Sequence, residues 1–321
     1  MTIADLPQFA DVERAAARIA GQVRRTPVLS DPNIDALIGA SVFFKCENLQ
    51  TIGAFKLRGA TNAVLALSDA EAARGVLTHS SGNHGAALGL AAKRRGIAAH
   101  IVVPDNAPAV KIANMQATGA VLHRCAANVA AREATAAAIQ ADTGAVMIHP
   151  FERPEVIAGQ GTAALELLAE IPRLELLIAP VGGGGLVCGS ALAAHGIDPS
   201  IAVIAAEPDG AADAFRAMQS GVRESNPLAE TICDGLRTGI GAINFAIMQQ
   251  HGVQVLTASD AEIIKAMRLG WERLRVLIEP SAAVPLAVLL KYPTRFAGRR
   301  VGVILSGGNL DLERLPWQAA S

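Results

Sequence analysis

The chain of 321 residues carries 28 Lys+Arg against 29 Asp+Glu, a formal charge of −1, with 51% hydrophobic and 18% charged residues. That length gives one large domain or two modest ones with a substantial core, and that composition excludes intrinsic disorder. A balanced charge, with its basic residues dispersed among acids, argues against nucleic acid or an anionic membrane as a partner. Cys46, Cys125, Cys188 and Cys233 stand far apart with no CxxC pair, the usage expected of a reduced cytoplasmic protein without a zinc framework. The first residues hold early acids and no basic-then-apolar layout, so no signal peptide is expected. Residues 176–194 are uncharged, but Pro180 and five glycines suit a strand, a turn and a helix start better than a membrane span.

In chain order, residues 75–79 read as a short strand, 80–82 as a turn and 83–95 as a helix closed by Gly96. A strand follows over 98–103, ended by Pro104, then a helix that includes 111–117. Residues 176–181 form a buried strand, 182–185 the turn and 186–195 a helix with Gly196 past its end; 201–206 and 301–305 are further Val/Ile-rich strands. Strands alternating with helices predict an α/β fold with mostly parallel sheets. No Pro- or Ser-rich linker and no repeat period interrupts it. In such folds ligands gather where strand carboxyl ends meet helix N-termini. Three loops occupy that position: residues 80–83, 182–185 and 306–309.

Gly182, Gly183, Gly184 and Gly185 lie between a strand and a helix, where backbone N–H groups without Cβ atoms can turn toward an anion. No Lys-Ser/Thr follows and the GxGxxG spacing fails, so this is neither a P-loop nor a dinucleotide fingerprint. Among the lysines, Lys93, Lys111 and Lys265 fall in helical patterns, Lys291 in a loop, and Lys45 in a strand-edge arrangement. Lys56 differs, sitting between apolar neighbours and two glycines in Gly53-Ala-Phe-Lys-Leu-Arg-Gly59, a setting for a lowered pKa and imine chemistry. A phosphate cradle and such an amine together are what a pyridoxal phosphate site needs. Ser80, Ser81, Gly82, Asn83 and His84 gather hydroxyls, an amide and an imidazole at a helix N-terminus, where a substrate carboxylate can be bound. Glu207, Ala211 and Asp213 are a weak oxygen-ligand pattern from spacing alone. There is no HExxH, no GxSxG elbow and no zinc spacing among the seven histidines.

Together the segments 45–60, 80–84, 158–162, 182–186 and 306–309 resemble the serine/threonine dehydratase family of fold-type II pyridoxal phosphate enzymes, over nearly the whole chain. The resemblance implies two open α/β domains with the cofactor between them: a large one of residues 1–68 and 150–321 and a small one of 69–149. It implies that Lys56 holds the cofactor and later moves the Cα proton, and that Phe55 packs beside the ring. Asn83 would bond its hydroxyl, Gly182 to Gly185 with Leu186 its phosphate, and Ser306 would face its nitrogen, with Gly235 and Glu279 also lining it. Ser80 to His84, Arg132 and Thr238 would meet the substrate. Without a C-terminal regulatory extension, no feedback control of the threonine dehydratase kind is expected, and a cytoplasmic homodimer is.

Four features lean toward the serine racemase and threo-3-hydroxyaspartate dehydratase branch. Ser81 matches a second base opposite the lysine, and Glu207, the Ala211 carbonyl and Asp213 match a site for Mg²⁺, Ca²⁺ or Mn²⁺. Arg132 matches an arginine for a second substrate carboxylate, and Glu279 in Ile278-Glu-Pro280 fits the branch. Two positions depart: Ala54 replaces a common Ser, and Phe151 stands where racemases are polar. The expected activity is an ammonia-lyase acting on 3-hydroxyaspartate, L-serine or L-threonine, with serine racemase as the enzymatic alternative. A silent ligand-binding relative is the alternative of another class.

Overall fold

The computed structural model describes residues 6–80, 82–107, 109–224 and 229–318. Ten strands lie in these residues: β1 (Val28–Leu29), β2 (Ser41–Cys46), β3 (Val76–Thr78), β4 (Ala99–Pro104), β5 (Val121–Cys125), β6 (Val146–Met147), β7 (Leu176–Pro180), β8 (Ala202–Pro208), β9 (Gln254–Ala258) and β10 (Arg300–Leu305). They form a six-stranded sheet of order β1-β2-β10-β7-β8-β9 and a four-stranded sheet of order β5-β4-β3-β6. Only β1 runs antiparallel to its neighbour. Parallel sheets carry helices on both faces, so their strands are apolar throughout. β7 shows it: Leu176 and Ile178 face one apolar cluster, while Leu177 and Ala179 face another on the opposite side.

All strands of the small sheet come from residues 76–147, and those of the large sheet flank them in sequence. The helix Lys56–Ala66 packs on the helix Pro154–Glu170 at glycine contact. A Cβ on Gly159 would sit 2.6 Å from the Gly59 Cα, and Gln160 Oε1 accepts the Gly59 N–H at 3.1 Å. The 158–162 segment therefore brings two helices together.

The helix over 83–95 matches its sequence expectation, ending at Gly96 in the left-handed region (φ 74°). Gly196 does not: the helix Gly185–Ile197 runs through it, and glycine is required there because a Cβ would lie 2.0 Å from Phe9 Cγ. Lys45 is not at a strand edge either. β2 is paired on both sides, and Lys45 is fully buried, donating to Thr26 O at 2.6 Å and to Glu166 at 2.7 Å. Lys291 closes the helix Pro280–Lys291 rather than lying in a loop. All four cysteines are buried and unpaired, and among the described residues no helix is long and apolar enough to cross a membrane.

Candidate active site

The lysine segment leaves β2 through a turn that needs glycine: Gly53 has φ +72°, and a Cβ there would sit 2.5 Å from Asn309 Oδ1. The chain then runs beside β10, with Ala54 bridged to Gly307 and the Phe55 N–H donating to Ser306 O at 3.0 Å. Lys56 follows as the first residue of its helix, so the end of β10 sets where the lysine emerges. Its Nζ donates to Pro150 O at 3.0 Å and lies 5.0 Å from the Phe55 ring centroid. The residue keeps some solvent contact, yet desolvation of the amine pulls its pKa down from 10.5 to about 8.

The tetraglycine loop follows β7. Gly184 has φ +96°, and the helix begins at Gly185 with Leu186 buried behind it. Side chains here would fill the space completely. A Cβ on Gly183 would lie 2.2 Å from Phe151 Cγ, and one on Gly182 would lie 3.1 Å from Thr238 Oγ1 and 3.3 Å from Gly235 O. Phe151 thus walls the glycine loop directly beside Pro150, the residue that takes the Lys56 amine. Two consecutive residues join the amine to the anion cradle.

A second set gathers around Asn83, Glu279 and Asn309. Asn83, at the start of its helix, donates to Glu279 at 3.1 Å, and Asn309 Nδ2 donates to Asn83 Oδ1 at 2.9 Å. Glu279 also accepts the Asn309 N–H at 3.1 Å, and it fills the space a side chain on Gly307 would need. Ser306 is buried beside them, and the Gly235 N–H donates to Ser281 Oγ at 3.2 Å. Gly82 caps the helix that carries Asn83 and His84; Ser80 is partly buried, and Ser81 lies outside the described residues.

His84 is buried and donates Nε2–H to Ile148 O at 3.0 Å. Burial, with the charge of Lys56, drops its pKa to about 3, so it is a neutral imidazole near pH 7. His149, absent from the sequence candidates, has its pKa lowered to about 4 by burial and by His79 and Lys56. Its ring meets Phe151 edge-on at 4.6 Å and His79 at 5.4 Å. Arg132 occupies the helix Val129–Thr143, and its charge adds to burial in lowering the His79 pKa. Arg132 thus lies within electrostatic reach of His79, whose ring meets that of His149.

Glu207, at the end of β8, and Asp213 are both buried. Glu207 accepts the N–H groups of Ala214 at 3.0 Å and Phe215 at 2.9 Å. Ala211 ends a short 3₁₀ turn between them. Burial, with Asp213 close by, pushes the Glu207 pKa up to about 8. Among the described residues no cluster of three His, Cys, Asp or Glu side chains forms a metal site, so a cation here would depend on the carbonyl as well.

A desolvated lysine amine beside a side-chain-free anion cradle, at the carboxyl edge of a parallel sheet, defines an enzyme that holds a phosphorylated carbonyl cofactor. The chain belongs to the family described as pyridoxal-phosphate dependent enzyme, which it matches over residues 19–307. It is 46% identical to the beta-hydroxyaspartate dehydratase of Paracoccus denitrificans, over 97% of this chain and 99% of that one. It is 41% identical to the L-threo-3-hydroxyaspartate ammonia-lyase of Saccharomyces cerevisiae, over 96% of this chain and 95% of that one. Maize serine racemase superposes with a TM-score of 0.94 at 44% identity, covering 96% and 95% of the two chains. The fold is that of the fold-type II pyridoxal phosphate enzymes.

The residues present fit pyridoxal phosphate, since the cradle excludes any side chain at Gly182 and Gly183 and the Lys56 amine near it is desolvated. A pH dependence follows. Only the neutral amine attacks a carbonyl, so cofactor uptake by the apoprotein should speed up as pH rises through about 8 and level off above it. Stopped-flow absorbance would record this, and a rate that does not change across that pH would contradict the assignment.

Proposed function

We propose that the protein is a pyridoxal phosphate-dependent ammonia-lyase that removes water from a 3-hydroxy amino acid, 3-hydroxyaspartate ahead of L-serine and L-threonine. The observation that carries the reading is the Lys56 amine, held by Pro150 O one residue from the wall of the glycine cradle. When bound, the cofactor supplies the electron sink that stabilises negative charge at Cα. Lys56 holds it and takes the Cα proton, its pKa near 8 suiting an amine that works as a base around neutral pH. Asn83 and Glu279 order the cleft wall, and Ser306 offers a neutral hydroxyl where transaminating enzymes use a carboxylate, which favours loss of a β-group. The Cα proton and the β-hydroxyl leave as water, and hydrolysis of the C–N bond then gives a 2-oxo acid and ammonia.

Ser80, Gly82 and Thr238 line the substrate side in this reading, with Ser81 as a second base. Phe55 and Gly235 complete the cofactor pocket. Residues 69–149 act as the small domain, and Glu207, the Ala211 carbonyl and Asp213 hold Mg²⁺, or Ca²⁺ or Mn²⁺ in its place. Their support is that both carboxyls are buried and close enough for Asp213 to help raise the Glu207 pKa, a repulsion between ionised forms that a divalent cation would relieve. A cytoplasmic homodimer belongs to the same proposal.

Arg132 is the proposed partner of the second carboxylate, because its charge is felt at His79 on the edge of the site. Arg132→Ala should cost about 10- to 100-fold in kcat/KM for 3-hydroxyaspartate and far less for serine. Equal losses on both substrates would remove the assignment. The broader test is turnover of L- and D-serine, L-threonine and the 3-hydroxyaspartate isomers with Mg²⁺, following both oxo acid and inverted amino acid. Fast oxo acid from a hydroxyaspartate supports the lyase, and inverted serine in excess of pyruvate makes serine racemase the better reading.

A further inference from the structure

The helix Ala242–Gln250 carries an asparagine in its first turn that no functional motif in the sequence points to. Asn244 is fully buried, and its Nδ2 donates to Gly183 O at 2.6 Å and to Phe151 O at 2.9 Å. The Gly241 N–H donates to the same Gly183 oxygen at 3.1 Å. Asn244 Oδ1 is buried without any hydrogen-bond partner. A buried amide with one end unsatisfied is unfavourable, so whatever this side chain contributes there comes from its donor end.

What that donor does follows from the geometry of a peptide. In a trans peptide the C=O and the next N–H point in opposite directions. Two donors pull the Gly183 carbonyl outward, toward the helix at 242–250, so the Gly184 N–H must point away from that helix. Gly184 sits in the left-handed region at φ +96°, the conformation that lets successive N–H groups converge on one anion. It cannot accept a side chain, because a Cβ would lie 2.6 Å from the Asn244 Cβ. The same Nδ2 group grips Phe151 O, the residue that walls the cradle and follows the Lys56 partner Pro150.

We infer that Asn244 is the positioning residue of the phosphate cradle: it fixes the Gly183–Gly184 peptide with its N–H toward the anion and ties that peptide to the crossover carrying the Lys56 partner. The inference rests on the cofactor reading of the cradle and is independent of the substrate. It differs from a packing role because its larger effect falls on the phosphate of the ligand, through the Gly184 N–H.

The test compares pyridoxal phosphate with pyridoxal, which lacks the phosphate, as ligands of the apoprotein by fluorescence titration. Asn244→Leu removes the donors at similar volume, and Asn244→Asp keeps the shape while facing both carbonyls with acceptors. Each variant should bind pyridoxal phosphate roughly 10- to 100-fold more weakly and lose far less affinity for pyridoxal. The ³¹P resonance of the bound phosphate should shift in whichever variant still loads. Equal losses for the two ligands would reduce Asn244 to a packing residue and overturn the inference, as would no loss in Asn244→Asp. If the native protein itself failed to prefer pyridoxal phosphate, the cradle reading would fall first and the inference with it. Should Asn244→Leu not fold, the near-isosteric Asp variant decides alone.

Discussion

Lys56→Met is expected to abolish turnover, by at least about 10³-fold, while making the apoprotein more resistant to heat. The loss of activity follows from removing the amine proposed to hold the cofactor and move the Cα proton. The gain in stability follows from linkage. The Lys56 pKa is about 8 in the fold against 10.5 in a solvated chain, because burial disfavours the charged form. Between those two values the unfolded chain binds more protons, so the native protein's stability rises with pH across that window. Below about 8 the amine is charged in both states and its desolvation weighs on the fold in full. Methionine keeps the apolar stem and removes that weight, at the loss of one hydrogen bond to Pro150 O. The difference in unfolding temperature between variant and native apoprotein should therefore be largest below pH 8 and shrink as pH rises above it. A destabilised variant would mean that Lys56 is a structural anchor, contrary to the role assigned to it. A functional residue that its own fold disfavours is the usual form of the trade between activity and stability.

The parts of this molecule that were legible in the sequence are those set by neighbours along the chain. β7 and the cradle were readable because an apolar run meets four glycines. The helix Asn83–Arg95 was readable because Gly96 stands at its end. Gly196 looked like the same stop signal and is not one, since its reason is Phe9, a contact made by folding. Lys45 read as an edge residue because its partner Glu166 lies 121 positions away. Asn244 gave no signal at all: an asparagine early in a helix is ordinary, and only the carbonyls it faces distinguish it. Asn309 was visible inside the Ser306 motif, but its bond to Asn83, across from one strand's end to another helix's start, was not. Most of the proposed site is legible only through family resemblance, whereas the amine among apolar neighbours and the glycine turn are legible from residue chemistry alone.

The buried charges beneath Lys56 carry the second large effect. Arg58 is fully buried and spends its guanidinium on two carboxylates. Nε and Nη2 each donate to Glu47 at 2.8 Å, and Nη1 and Nη2 each donate to Glu166 at 2.8 Å. Lys45, also fully buried, pairs with Glu166 at 2.7 Å, so two cations balance two anions. Burial alone would lower the Arg58 pKa, and the charge of Glu47 and its bonds overcome it and raise it. Glu166 is likewise opposed by burial, yet Arg58 and Lys45 hold its pKa below the ordinary carboxylate value. That sign means Glu166 contributes stability above the unfolded value of 4.5, lost as pH falls through its lower folded pKa. Arg58→Met should destabilise the fold by about 3–5 kcal/mol, because it strands Glu47 as an unpaired buried charge. Adding Glu47→Leu should recover most of that loss, since the remaining Lys45–Glu166 pair is neutral and an apolar pair can replace a buried ion pair at little cost. Chemical denaturation of the two variants measures this, and a double variant no more stable than Arg58→Met would show the charge argument to be wrong. Activity should not recover with stability. Arg58 lies two residues beyond Lys56 on the first turn of its helix and is the tie between that turn and the residues at 47 and 166. With the tie gone the amine loses its fixed approach to Pro150 and the cradle, and kcat should stay depressed in a protein that folds well.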